Sequence, residues 1–138
     1  MAVITGRCYC GAVALEAADG PQVVTYCHCQ DCRRSAGAPV AAFAAFAEEA
    51  VSVDGPLRAA PPAGPGAKRM FCAECGTPIL ARYDYLVGQV YVSLGCLDQA
   101  AELAPSRHAH HDAKLPWLDL ADDLPRDAAS ARDALRRG

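Results

Sequence analysis

The spacing of the cysteines constrains this chain more than any other feature. They stand as Cys8-x-Cys10, Cys27-x-Cys29-x-x-Cys32, Cys72-x-x-Cys75 and a solitary Cys96. Cysteines one or two residues apart in a tight turn aim both sulfurs at one ion. Each such pair needs a second from elsewhere in the chain to complete a tetrahedron around zinc. A fold that honours this pattern must bring distant turns together. Gly11 and Gly76 directly follow the two outer pairs, where a sharply turning backbone suits glycine.

Disulfides are the rival use of so many thiols. Met1 to Arg7 shows no basic region followed by an apolar core, which predicts a chain without an export signal. The cytoplasm is then the expected location, a reducing compartment in which thiols persist and serve as metal ligands or catalysts. No run approaches the roughly 18 apolar residues of a membrane span. A formal charge of −3 gives no electrostatic footprint for nucleic acid, and the arginines at 33, 34, 132, 136 and 137 are too scattered to create one. At 138 residues one domain, 1–138, is expected. Its hydrophobic content of 52% is swollen by alanine while aromatics reach only 7%, so metal crosslinks would support a modest core.

Along the chain, short strands and turns predominate. Ala12 to Leu15 continues as a strand from the first cysteine knuckle, and Val23 to Tyr26 is β-branched and aromatic. Gln30 to Ala36 suits one or two helical turns before Gly37. Val40 to Phe46 is ambiguous, because alanine favours helix while the flanking turns favour strand. Val51 to Val53 enters a turn at Asp54-Gly55, 59–67 reads as an exposed loop, and Lys68 to Cys75 repeats the strand-then-knuckle pattern. Val90 to Leu94 is the clearest alternating strand. Prolines at 105, 116 and 125 make 103–125 an irregular arm, and 127–137 has the acid-first, arginine-last order of a C-terminal helix.

Seven clustered thiols divide naturally into four and three. In the favoured partition Cys8, Cys10, Cys72 and Cys75 close one structural site. Cys27, Cys29 and Cys32 then hold a second ion with one position open, the usual form of a catalytic zinc. The competing partition joins Cys29, Cys32, Cys72 and Cys75 as a zinc ribbon and leaves Cys8, Cys10 and Cys27 idle.

The motifs Cys8-x-Cys10-Gly11-x-Val13, Cys27-His28-Cys29-x-x-Cys32-Arg33-Arg34-x-x-Gly37 and Phe71-Cys72-x-x-Cys75-Gly76-Thr77 together resemble the glutathione-dependent formaldehyde-activating family, which includes centromere protein V. The likeness runs on through Ser93-Leu94-Gly95-x-Leu97-Asp98 and Pro116-Trp117-Leu118, about nine-tenths of the chain. It implies a mainly β, Mss4-like domain stapled by zinc. It also implies a structural zinc on Cys8, Cys10, Cys72 and Cys75 and a catalytic one on Cys27, Cys29 and Cys32. The implied activity is carbon–sulfur lyase chemistry of the S-(hydroxymethyl)glutathione synthase type, with a small thiol such as glutathione as partner. Members of the family usually carry threonine where this chain has Cys96. Had Cys96 reached the open position it would close the site, although a lone cysteine is more often a small buried hydrophobe.

The remaining candidates divide between chemistry and packing. His28, between two ligands, should point away from the metal and orient or pack beside it. Arg33 and Arg34 follow Cys32 and serve either to balance thiolate charge or to bind a substrate carboxylate, so both join the candidate catalytic residues. His108 and His110 should share one side of a strand and His111 the other, without metal nearby. Trp117 reads as a core anchor and Asp122-Asp123 as a solvated turn. Two functions stand at this point: a zinc enzyme acting on a thiol or thiol adduct, and a non-catalytic zinc module that binds a protein partner. The first leaves a homodimer open as its assembly.

Overall fold

In a computed structural model the chain is described over residues 3–61 and 66–130. Among the described residues, ten strands and one helix are separated by short 3-10 turns. Strands β1 (Ile4–Arg7), β2 (Ala14–Ala17) and β5 (Val51–Asp54) form a small antiparallel sheet in the order β1-β2-β5. The larger sheet is built from β3 (Val23–Cys27), β4 (Ala41–Ala47), β6 (Leu57–Ala59), β7 (Ala67–Cys72), β8 (Pro78–Tyr83), β9 (Gln89–Ser93) and β10 (Arg107–Ala109). Its order is β10-β3-β4-β9-β8-β7-β6, antiparallel throughout except where β10 joins β3 in parallel. The mainly β, Mss4-like class expected from the sequence is the class found.

Period-two alternation sorts the side chains into two cores. Val24, Ala44, Phe46, Val90 and Val92 point to one face of the large sheet, where they meet Ile4, Leu15 and Ala17 of the small one. Val23, Phe43, Ala45 and Tyr91 point to the opposite face and pack with Leu86 and Ala109. Cys8 and Cys72 belong to the first core, whereas Cys27 and Cys32 belong to the second. The two cysteine groups therefore lie on opposite faces of one sheet.

This double burial explains where the pattern in the sequence was hard to read. Val40 to Phe46 resolves as a strand because β4 is paired on both edges, with β3 and β9, and pairing overrides the helical preference of alanine. For the same reason the strand at 89–93 is buried at four consecutive positions and does not alternate with solvent. The helix α1 (Gln30–Ala36) forms as expected and stops at Gly37. The strand after the first knuckle starts at Ala14, two residues later than expected.

The arm diverges most from its expected form. It is not wholly irregular, since β10 adds to the large sheet. Two further contacts hold it: Arg107 makes a two-pronged ion pair with Asp127 at 2.8 and 2.9 Å, and the Asp127 N–H donates to the His108 carbonyl. These bonds keep Asp127–Ser130 out of a helix, and the rest of the expected C-terminal helix lies outside the described residues. Trp117 is not a core anchor. It is 69% exposed on a turn closed by the Leu118 N–H to the Leu115 carbonyl, and hydrophilic pairing of Arg107 with Asp127 does the anchoring.

Gly55 closes the turn between β5 and β6 with φ 121°, a region rarely open to other residues. A Cβ there would stand 2.2 Å from the Ala12 carbonyl oxygen, whereas one at Gly95 would meet nothing within 4 Å. Gly55→Ala should therefore cost about 2–4 kcal/mol in chemical denaturation, against a change within about 0.5 kcal/mol for Gly95→Ala.

Candidate metal centres

The first cysteine group is made by two knuckles of the same design. After β1, the Val13 N–H donates to Cys8 Sγ at 3.3 Å and the Ala12 N–H to Cys10 Sγ at 3.5 Å. After β7, the Glu74 N–H donates to Cys72 Sγ at 3.4 Å. Gly11 and Gly76 supply the positive φ, 83° and 82°, that lets each knuckle fold back on its cysteine. The four sulfurs all lie within 4.8 Å of one another. Cys8 to Cys10 is 3.6 Å and Cys10 to Cys72 is 3.9 Å. Zinc–sulfur bonds of 2.3 Å set the edge of a tetrahedron at about 3.8 Å, so four thiolates in this arrangement fit zinc. Thr77, whose hydroxyl lies 3.1 Å from Cys75 Sγ, draws that thiol down to about 5, which readies it as a ligand.

The second group stands where β3 runs into α1. Cys27 is the last residue of β3, held between Ala41 of β4 and Ala109 of β10. Cys29 caps the helix, its sulfur accepting the Cys32 N–H at 3.2 Å, and Cys32 sits in the first turn. Their three sulfurs also lie within 4.8 Å, with Cys27 to Cys29 at 3.5 Å and Cys27 to Cys32 at 3.0 Å. The chain thus groups its thiols four and three, and the ribbon partition is not formed. Hydrogen bonds from Cys27, then Cys32, draw Cys29 down to about 2, while the same cluster pushes Cys27 up. Within the cluster Cys29 is therefore the sulfur most readily held as thiolate.

The triad opens into a cavity of about 200 Å³. Phe43, Tyr83, Tyr85, Leu86 and Tyr91 give it apolar walls, and Arg69 and His110 are its basic side chains. Tyr83 Oη lies 4.0 Å from Cys32 Sγ, and burial pushes that phenol up, so it stays protonated.

These residues belong to a recognised pattern. The model of the family described as glutathione-dependent formaldehyde-activating enzyme matches residues 3–113. The chain belongs to that family. Among solved structures, a crystal structure of a Rhodobacter sphaeroides protein is similar with a TM-score of 0.56 and 22% identity, covering 88% of this chain and 98% of that one. At that identity the likeness speaks for the fold. No curated protein matches.

Within the family framework, the other expectations find their places. Cys96 is not near the triad: its sulfur approaches the Pro78 carbonyl, and burial, then the charges of Cys8 and Cys75, push it up to about 11. His28 turns away from the metal ligands beside it. It is fully buried, with Nε2 2.9 Å from His108 Nδ1, while His108 Nε2 lies 3.0 Å from the Asp122 carboxylate. The carboxylate requires His108 Nε2 to donate, so His108 Nδ1 accepts from His28. Asp122 is thus not a solvated turn residue. It also takes Arg126 at 2.6 Å and the Leu124 N–H at 2.9 Å, and it ties the arm to the loop that carries Cys27 and Cys29. His108 and His110 part company because β10 ends at Ala109. His110 then adopts φ 50° and ψ 42°, the one positive φ outside glycine among the described residues, and faces the cavity.

Arg33 donates from Nε to the His28 carbonyl at 3.3 Å, and neither it nor Arg34 lines the cavity. Arg69, from β7, does. Sequence reasoning missed Arg69, Tyr83, His110 and Asp122 as functional candidates. No local motif marks Arg69 or Tyr83, since sheet pairing alone brings β7 and β8 beside the triad.

Asp122→Asn keeps the shape and removes the charge that orients His108. Metal affinity of the three-thiol site should fall about 10- to 100-fold in a chelator competition, with the four-thiol site unchanged. A second outcome follows from the lowered Cys29. Hydrogen bonds from Cys27, then Cys32, let Cys29 keep its thiolate to lower pH than an ordinary thiol. With the three-thiol site stripped and the four-thiol site still loaded, iodoacetamide at pH 5 should label Cys29 ahead of Cys27 and Cys32 in peptide mass mapping.

Proposed function

We propose that the chain is a zinc-dependent enzyme of carbon–sulfur chemistry, acting on a small thiol or its carbonyl adduct in the manner of S-(hydroxymethyl)glutathione synthase. The observation that carries this reading is the three-thiol group at the base of a cavity, with no fourth protein ligand beside it among the described residues. Four soft donors on one side and three on the other suit two zinc ions, one structural and one catalytic, in a reducing compartment such as the cytoplasm. Zinc held by Cys27, Cys29 and Cys32 would lower the pKa of a bound thiol or polarise a carbonyl.

The chain's own groups account for the rest. In the synthetic direction the thiol sulfur bonds to the carbonyl carbon, the C=O π pair moves onto oxygen, and that oxygen takes the proton the thiol gave up. His110, an imidazole on the cavity wall, would hold that proton. Arg33 fastens the ligand loop through the His28 carbonyl. A closed, partner-binding zinc module would need a fourth protein ligand, for which the sequence offers Cys96 and His28. Cys96 lies beside the other cysteine group and His28 is bonded to His108.

Cys29→Ser should leave a folded chain with one zinc per molecule in place of two. Its rate of joining glutathione to formaldehyde, above the uncatalysed background, should fall more than about 100-fold. Cys72→Ser should instead lose the fold itself, since a closed zinc site contributes about 10–16 kcal/mol of apparent binding in small zinc peptides. Full activity in Cys29→Ser would overturn the reading.

A further inference from the structure

One cation stands against the triad cavity without an assigned role. Arg69 lies on β7 opposite Ala81 of β8, and Ala81 is in turn opposite Tyr91 of β9. Arg69 and Tyr91 both line the triad cavity. The guanidinium carbon sits 5.7 Å from the centre of the Tyr83 ring, which holds it in place by cation–π contact. Its Nε is buried and has no hydrogen-bond partner among the described residues, while the guanidinium as a whole also reaches the Cys32 sulfur. A buried donor left without an acceptor is costly, and a guanidinium offers its donors as a planar fork matched to carboxylate. The acid on the cavity wall, Asp31, is exposed at the helix start.

The size of the cavity restricts what can carry that carboxylate. About 200 Å³ is below the 300–1,000 Å³ of sites that enclose drug-sized ligands. It corresponds to about seven water volumes. A molecule with a thiol, two or three carbons and a carboxylate fills such a space, whereas a tripeptide must extend beyond it, over the neighbouring hollow of about 300 Å³ that shares Arg69 and Phe43.

We propose that Arg69 is the specificity-determining residue of this site, and that it selects short mercapto acids, or their carbonyl adducts, by binding the carboxylate while the sulfur meets the triad. This rests on the thiol-binding reading above. Arg69, and not Arg33 or Arg34, then steadies the anionic end of the substrate. The alternative role for Arg69 is general balance of thiolate charge, since its own charge faces Tyr83 and Cys32, it hydrogen-bonds Cys32, and the Asp31 carboxylate also acts on it. Charge balance strengthens every thiol alike. Carboxylate recognition strengthens only the acids.

The test is calorimetric titration of the zinc-loaded protein with 3-mercaptopropionate, its neutral isostere 3-mercaptopropionamide, and glutathione. The wild-type chain should prefer the acid over the amide by about 10- to 100-fold, as expected of a charge-assisted pair, and should bind glutathione no more tightly than the short acid. Arg69→Ala should bring acid and amide together, with Arg69→Lys keeping part of the preference and zinc content unchanged in both. Equal binding of acid and amide by the wild-type chain would overturn the proposal, and needs no variant. So would equal weakening of both in Arg69→Ala, or tighter binding of glutathione. Failure of all three thiols to bind is a different result: it removes the thiol reading itself, and this proposal with it.

Discussion

The closing of Cys8 and Cys10 onto Cys72 and Cys75 is the contact on which the remaining architecture depends. Residues 8 and 72 are far apart in the chain, one after the first strand of the small sheet and the other at the end of a strand of the large one. Their two knuckles present N–H groups to sulfur in the same way. Cys8 and Cys72 are also part of the apolar core that joins the sheets. A metal at this point would therefore crosslink the two sheets where they pack. In a chain whose core draws on many small alanines and valines beside a few large side chains, a crosslink there adds to modest apolar packing.

The opposite face of the large sheet is left free for chemistry by the same division. Three features make that face a site. The chain leaves β3 at Cys27 and turns at once into α1, so one short loop delivers three sulfurs. The parallel strand β10 then covers the loop from the far side, with the His28 N–H bonded to the Ala109 carbonyl. Finally, the His28, His108 and Asp122 chain fixes the loop through the interior, where an imidazole with no water available can keep only one set of partners. Burial lowers His28 to about 4, so it remains neutral and can keep the donor role that this chain of bonds requires.

Much of this was legible in the sequence, and unevenly so. Cysteine spacing and the glycines after it are local signals, and they located every member of both thiol groups and the helix at 30–36. Strand content was legible wherever β-branched residues gathered. What escaped was whatever depends on neighbours brought in by pairing. Val40 to Phe46 could not be typed from its alanines, because its state is decided by β3 and β9 on its flanks. Arg69 looked like any strand arginine, since nothing near it in the chain says that β7 borders the triad. Trp117 was misjudged on hydrophobicity alone, although a pair of hydrogen-bonded ions holds the arm instead. The histidines were misassigned by assuming that the strand continued past 109. A single left-handed residue at His110 sends His108 and His110 to different environments.

The contrast between the two cysteine groups also explains why similar motifs have different prospects. A Cys-x-Cys or Cys-x-x-Cys knuckle contributes two sulfurs and folds its backbone over them, so two knuckles enclose an ion completely. The Cys27-x-Cys29-x-x-Cys32 loop contributes three sulfurs from one side, and its strand and helix diverge away from the point they share. A fourth donor must come from across the cavity, and among the described residues no further Cys, His or carboxylate atom joins the three sulfurs within 4.8 Å. Cys96 could have done so only if the turn after β9 lay on the triad face. That turn is fixed on the other face, where Gly6 bridges to Leu97 and the Asp98 N–H bonds to the Thr5 carbonyl. The openness of the triad is thus a consequence of sheet topology. It follows from which face each turn occupies, and a cysteine at position 96 does not alter it.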